Sequence, residues 1–259
     1  MAVFLTFGDA TYDQALRRIE REAAGSGFFD RLSVRRPTNL GRAFWRKHGK
    51  FIAANRRGYG CWLWKPWIVH EELAACQPGD MLVYADAGCT INARGRARFD
   101  EYRRLLEESP SGVLAFQLPV EERRFTKGDV FQALAAWHLK DTLQLRATII
   151  LWRSCANSIS LAREWLELAE RYDLISDAPS TVPNAPDFRT HRRDQSLFSL
   201  VAKLRGATLI DDETEFGGNW ECAGAFPFWA TRLRGEKQGP LAKLRRDLTT
   251  YGLWARHAL

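Results

Sequence analysis

The order of apolar and polar segments predicts an α/β fold: a single domain with a mainly parallel central sheet and helices on both of its faces. Two observations lead there. Strand-like and helix-like segments alternate along the chain, the pattern expected when each helix carries the chain back so that successive strands run the same way. The chain has 259 residues, 46% hydrophobic and 27% charged, an ordinary globular make-up with enough length to bury a substantial core.

Each element follows from a local pattern. Residues 3–7 read as a buried strand ending at Gly8-Asp9. Thr11 stands where it can cap a helix, Ala15, Leu16, Ile19 and Ala23 recur at helical spacing, and Gly25 is placed to stop it. Residues 32–34 read as a short second strand and 41–55 as a basic helix, and Pro66 in a first-turn position starts a helix over 67–75. Pro78-Gly79-Asp80 makes a turn before an apolar strand at 81–84, and Ala85-Asp86-Ala87-Gly88 follows where that strand must end. Downstream the pattern predicts a helix at 99–106, a strand at 113–116, a helix at 130–139 and a strand at 148–152. A helix at 160–172, a loop at 184–190, a helix at 196–204 and a strand at 207–210 complete the body. Residues 234–240 read as a hinge, dividing a main domain, 1–231, from a basic amphipathic tail, 232–259.

The bulk properties narrow the function classes. The first strand begins so close to Met1 that no secretory leader is expected, and no apolar run approaches the ~20 residues that span a bilayer, so a cytoplasmic protein is expected. The five cysteines are odd in number and far apart, with no zinc spacing, which argues against a disulfide framework or structural zinc. The net charge of +7 favours anionic partners, and most of the excess lies in the tail. No Gly-x-x-x-x-Gly-Lys-Ser/Thr loop, Gly-x-Gly-x-x-Gly fingerprint, His-Glu-x-x-His or Gly-x-Ser-x-Gly occurs, which disfavours P-loop ATPases, Rossmann dehydrogenases, zincins and serine hydrolases.

Tyr84-Ala85-Asp86-Ala87-Gly88 puts a carboxylate just past the carboxyl end of a strand, where open α/β sheets bind ligands. By itself this is equally a turn carboxylate that caps backbone N–H groups. Two blocks add to it. The stretch Gly-Tyr-Gly-Cys-Trp-Leu-Trp-Lys-Pro-Trp-Ile-Val from Gly58, followed by Gly-Asp-Met-Leu-Val-Tyr-Ala-Asp-Ala-Gly-Cys-Thr-Ile-Asn to Asn92, resembles bacterial glycosyltransferase-like proteins of polysaccharide pathways, as does His191-Arg192-Arg193-Asp194-Gln195-Ser196. The resemblance implies a GT-A-like, Rossmann-like domain that binds a nucleotide-sugar donor and transfers its sugar to a glycan or lipid-linked acceptor.

The resemblance also implies roles. Asp86 matches the first carboxylate of the Asp-x-Asp motif that holds the sugar nucleotide and its divalent Mn²⁺ or Mg²⁺, while Gly88 replaces the second, with Ala87 between them. The alternative is that cations such as Lys65, Arg123, Arg124, Lys127, Arg192 and Arg193 neutralise the diphosphate. Asp194 and Gln195 resemble the Asp-Gln pair beside the donor sugar in retaining enzymes, so they are the catalytic candidates and retention is the expected course; locally, Asp194 reads as the N-cap of the next helix. Phe7, Gly8 and Asp9 close the first strand, where such enzymes hold the nucleoside, and Asp9 reads equally as a helix cap. His191 is a donor-site residue and a weaker candidate to join Asp86 on a metal. Lys65, among Trp62, Trp64 and Trp67, either snorkels to the surface or meets phosphate, and the tryptophans read first as core.

Two rival functions stand beside transfer. An inactive nucleotide-sugar-binding homologue is suggested by Gly88, and a nucleic-acid-binding module rests on net charge and the Arg56-Arg57 and Arg192-Arg193 pairs, without a reading motif, so nucleic acid is not expected as a partner. In the tail, Leu241, Leu244 and Leu248 can share a helix side apart from Lys243, Arg245 and Arg246. Such a helix either packs on its own domain or lies on an anionic membrane, which would make the enzyme peripheral at the inner face.

Overall fold

The computed structural model describes residues 1–233 and 240–258. Its elements run β1 (Ala2–Phe7), α1 (Asp13–Ser26), β2 (Arg31–Arg35), α2 (Gly41–Ala54), a one-turn α3 (Gly58–Cys61), α4 (Trp64–Ala75), β3 (Met81–Ala85) and β4 (Thr90–Ile91). There follow α5 (Arg96–Glu108), β5 (Val113–Glu121), α6 (Gly128–Ala133), β6 (Leu143–Arg153), α7 (Ala156–Ala169), α8 (Tyr172–Ile175), α9 (Asp194–Leu204), β7 (Thr208–Asp211), β8 (Phe228–Trp229) and α10 (Pro240–Ala258).

Six strands form the central sheet in the order β2-β1-β3-β6-β5-β7. Five run the same way and β6 alone is reversed, pairing antiparallel with both β3 and β5. The mainly parallel sheet of the sequence reading is therefore present, with one reversal that apolar periodicity cannot encode. Alternate residues of β1 serve two cores: Val3 and Leu5 pack with α2, α4, α7 and α9, while Ala2 and Phe4 pack with α1 and α5. Helices thus cover both faces.

The chain leaves β1 toward β2 on one side and returns to β3 on the other, with Leu5 paired to Tyr84. The carboxyl ends of β1 and β3 lie together at that reversal, the crevice where open α/β sheets bind ligands. From β3 the chain passes to β4, which pairs with β8, so residues 228–233 return beside the loop that follows β3.

Several boundaries differ from expectation for local reasons. Helix α1 runs through Gly25 and ends at Gly27, whose left-handed φ of 70° makes it the stop. The helix expected at 130–139 breaks after Ala133, because Ala135 adopts a φ of 50° and the chain resumes as a short 3-10 turn at Trp137–Leu139. Helix α7 starts before Ser160, where the Ser158 hydroxyl accepts from the Cys155 N–H at 3.1 Å.

Residues 58–62 are unusual. Gly58, Tyr59, Gly60, Cys61 and Trp62 all have φ between 54° and 84°, a left-handed turn in which three residues are not glycine. Such conformations cost about 1–2 kcal/mol for each non-glycine residue. Hydrogen bonds hold them there: Gly60 N–H to the Asn55 carbonyl at 2.8 Å, Cys61 N–H to Arg57 at 2.9 Å, and the Trp64 indole N–H to Gly58 at 2.9 Å. At Gly60 an added Cβ would lie 2.6 Å from Ile52 Cγ1, so glycine is required by space as well as by φ. The turn sets the direction of α4, and Pro66, its third residue, sits where no helical N–H is needed.

The described part of α10 lies against α2. Leu253 joins the larger core, Trp254 sits over Gly49, and the Thr250 hydroxyl donates to the Tyr59 phenol at 2.9 Å. Leu248 and Tyr251 are exposed. Packing on its own domain is thus what these residues do; the expected hinge and the side chains of Leu241, Lys243, Leu244, Arg245 and Arg246 lie outside the described residues. Among the described residues no helix is long and apolar enough to cross a membrane.

Candidate functional site

Three segments far apart in sequence meet at the crevice. The Lys65 ammonium, on the second residue of α4, lies 3.2 Å from Asp86 Oδ1, at the end of β3, and 2.9 Å from Asp194 Oδ2, on the first residue of α9. It also donates to the Ala147 carbonyl of β6 at 3.1 Å. Lys65 is 3% exposed, so it neither snorkels nor reaches bulk solvent; it is a buried cation clamped between two carboxylates. Burial alone would lower its pKa, but Asp194 and Asp86 together outweigh burial and hold it above the ordinary value.

The two carboxylates differ. Asp86 is about one-third exposed, and its Oδ1 accepts from the buried Tyr84 phenol at 2.5 Å. Asp194 is buried, and burial pushes its pKa up to about 6 against the pull of Lys65. Its Oδ2 is paired with the Lys65 ammonium at 2.9 Å. Asp194 does not cap α9: the N-cap is Arg193, with a strained φ of 50°, and the Asp194 carbonyl is anchored by the Trp165 indole at 3.0 Å.

A chain of amides fixes Gln195. Buried Glu122 accepts from Gln144 Nε2 at 3.1 Å, so Gln144 turns its Oε1 the other way, where it accepts from Gln195 Nε2 at 2.9 Å and Arg192 Nη1 at 3.0 Å. That leaves Gln195 Oε1 to face the Ala147 N–H at 3.3 Å with a lone pair to spare. The Arg192 guanidinium stacks on the Phe125 ring at 3.7 Å and has no carboxylate within 4.0 Å among the described residues.

The remaining candidates sit nearby or elsewhere. Phe7 stacks on Trp64 with ring centres 4.0 Å apart, which places Trp64 in the core as expected. Gly8 packs where a Cβ would be 2.8 Å from Tyr12 Cβ, and Asp9 caps the 3-10 turn at Ala10–Tyr12 by accepting from the Thr11 N–H at 2.8 Å, while the N-cap of α1 is Tyr12, without a side-chain cap, and not Thr11. Ala87 is buried, and its carbonyl accepts from Arg18 at 3.1 Å. His191 is directed away from Asp86: its Nε2 meets the Leu174 carbonyl at 2.9 Å, so that nitrogen carries the proton, and burial, then Lys127, pulls its pKa down to about 3. Of the other cations, Arg123 and Arg124 pair with Asp187, Arg193 with Asp177, and Lys127 donates to the carbonyls of Asp173, Ser176 and Ala178.

A divalent cation fits this donor set poorly. Mn²⁺ or Mg²⁺ requires several oxygen ligands. The one carboxylate of the Asp86-x-Gly88 turn already takes Tyr84 and Lys65, and a metal on it would face the ammonium at close range, where like unit charges repel by roughly 4 kcal/mol at 4 Å. His191 points elsewhere, and among the described residues no group of three or more His, Cys, Asp or Glu side chains is gathered.

Gln144, Tyr84 and Arg146, which pairs with Asp212 and Glu215, escaped the sequence reading. The signal was present in β6, where Gln144, Arg146 and Thr148 are polar at alternate positions of an otherwise apolar run. A cavity of 250 Å³ between α2 and α10, lined by Ile52, Arg56, Tyr59, Leu248 and Tyr251 among others, contains none of the candidate residues.

No family model and no curated protein sequence matches the chain. Among solved structures it is similar to a glycosyltransferase involved in glycosylation of the major capsid of PBCV-1 (10% identity, 97% of this chain and 98% of that one, TM-score 0.47). It is also similar to mouse xyloside xylosyltransferase 1 in its apo form (12% identity, 92% and 100%, TM-score 0.48) and to the galactosyltransferase LgtC in complex with donor and acceptor sugar analogues (12% identity, 99% and 96%, TM-score 0.45). Overlaps this loose leave the functional reading to the side chains.

Proposed function

We propose that the chain transfers a glycosyl group from a nucleoside-diphosphate sugar to a hydroxyl of a glycan or lipid-linked acceptor, with retention at the anomeric carbon. The observation that carries this reading is the Lys65 clamp, which draws the Trp-Lys-Pro segment, Asp86 and the Asp194-Gln195 pair to one point at the switch between β1 and β3. These are the segments whose sequence resembles bacterial glycosyltransferase-like proteins. The nucleoside lies toward Phe7 and Asp9, and the sugar lies at Asp194.

In the reaction the bond from the anomeric carbon to the diphosphate oxygen breaks and the acceptor oxygen bonds to the same face, its proton passing to the departing phosphate oxygen. Asp194 Oδ2 accepts a sugar hydroxyl, Lys65 holds that carboxylate in place, and the Gln195 carbonyl faces the positive charge that develops at the anomeric carbon. Gly88 favours a second reading, a homologue that binds the donor without transfer. The test is to incubate the purified protein with a panel of sugar nucleotides and follow nucleoside-diphosphate release, with the anomer of the first-formed product read by NMR. Release from one donor with the anomeric configuration kept supports retaining transfer. Binding without release supports the inactive homologue, and neither binding nor release from any donor removes the sugar-nucleotide reading.

A further inference from the structure

We propose that the donor diphosphate is held by arginine side chains, Arg192 with Arg232 beside it, and not through a divalent cation. This rests on the sugar-nucleotide reading above. Three independent features of the site lead to it.

The first is that returning chain crowds the place of a second carboxylate. A Cβ added at Gly88 would lie 3.3 Å from the Arg232 Cα and 3.5 Å from its carbonyl carbon. The Gly88 carbonyl is also tied down, accepting from the Leu233 N–H and the Thr231 hydroxyl at 2.9 Å each. The segment that crowds this position thus brings a cation to the same turn. The Arg232 side chain is exposed and reaches Glu215 at 2.9 Å, a carboxylate it shares with Arg146.

The second is charge. Lys65 is consumed by Asp86 and Asp194, and Arg146 by Asp212 and Glu215, whereas Arg192 has no carboxylate of its own among the described residues. Burial, and then the like charges of Arg146 and Arg232, pull the Arg192 pKa below its ordinary value against the weaker opposing pull of Glu122 and Glu215. A diphosphate would give Arg192 the direct anionic partner that it lacks among the described residues.

The third is geometry. Arg192 uses one N–H on Gln144, and its plane is fixed against Phe125, leaving the rest of the fork for a phosphate. It precedes Asp194 by two residues and shares the Gln144 acceptor with Gln195, so an anion at Arg192 adjoins the place assigned to the sugar.

The experiment is calorimetric titration of the full chain with UDP, GDP, CDP, ADP and dTDP, each in EDTA and again in excess Mn²⁺. The expected result is that at least one binds with affinity equal within about twofold in the two conditions, and that Arg192→Gln weakens it by at least tenfold, about 1.4 kcal/mol. Affinity for the matching nucleoside, which lacks phosphate, stays unchanged in that variant and shows that its fold is intact. Arg232→Gln, on an exposed side chain, gives a smaller loss, and both losses shrink at high salt. Binding that appears only with Mn²⁺, or that Arg192→Gln leaves unaltered, overturns the arginine site while the sugar-nucleotide reading stands. If no nucleoside diphosphate binds in either condition, that reading fails and the arginine site with it.

Discussion

Replacing Lys65 with methionine keeps the length of the side chain and removes its charge, so Asp194 must either stay ionised without a partner or take a proton. The magnitude follows from linkage. Asp194 has a folded pKa of about 6 against about 3.9 in an unfolded chain, so the wild type is most stable with respect to this group below the unfolded value. It loses stability as pH rises to about 6, and no more beyond. Without Lys65 the folded pKa climbs further and the loss continues at about 1.4 kcal/mol per pH unit. Asp86, one-third exposed, remains hydrated and adds little. The deficit of Lys65→Met relative to wild type should therefore be small at pH 5, about 1.4 kcal/mol at pH 7 and about 3 kcal/mol at pH 8, reaching the range seen when one partner of a buried pair is removed. For a chain of this size the pH 8 value corresponds to a fall in Tm of roughly 6–12 °C. Urea unfolding at the three pH values measures it, and adding Asp194→Asn should remove the pH dependence. A deficit that is flat with pH, or largest at pH 5, would refute the clamp as the source of the effect.

Other predictions concern the same network and its support. In the wild type, turnover should fall as pH drops below about 6, where Asp194 gains its proton; Asp194→Asn should lose that limb and damage turnover more than donor affinity, as pH–rate profiles and titration will show. Gln144→Leu leaves Glu122 and the Gln195 amide short of partners, so unfolding measurements should show a loss of about 1–3 kcal/mol, with turnover and donor affinity both reduced. Leu253→Ala should cost about 2–5 kcal/mol if α10 packs on α2, and limited proteolysis should then cut first at the C-terminal helix.

The alternation of elements was legible because apolar periodicity records burial, and the place of Asp86 just past β3 was legible because the apolar run ends there. Strand direction was not, since β6 reads the same in either sense. The pairing of Lys65 with both carboxylates was also out of reach: it depends on a left-handed turn at residues 58–62, in which three side chains take a conformation that local preference opposes and tertiary packing enforces. His191, expected at the donor site and as a weaker metal candidate beside Asp86, has its imidazole on the Leu174 carbonyl, with the positive-φ Arg193 between it and Asp194. Gln144 was missed because the strand was expected to begin at Thr148, beyond the register shifts of the β5–β6 ladder where it sits.

A crystal structure with the sugar nucleotide that the donor panel selects, if the proposed transfer holds, tests the central claim most directly. The account predicts a sugar hydroxyl within hydrogen-bond reach of Asp194 Oδ2, the diphosphate against Arg192, and the nucleoside toward Phe7 and Asp9. A nucleotide seated in the cavity between α2 and α10, or one bound with Asp194 and Arg192 untouched, would contradict it.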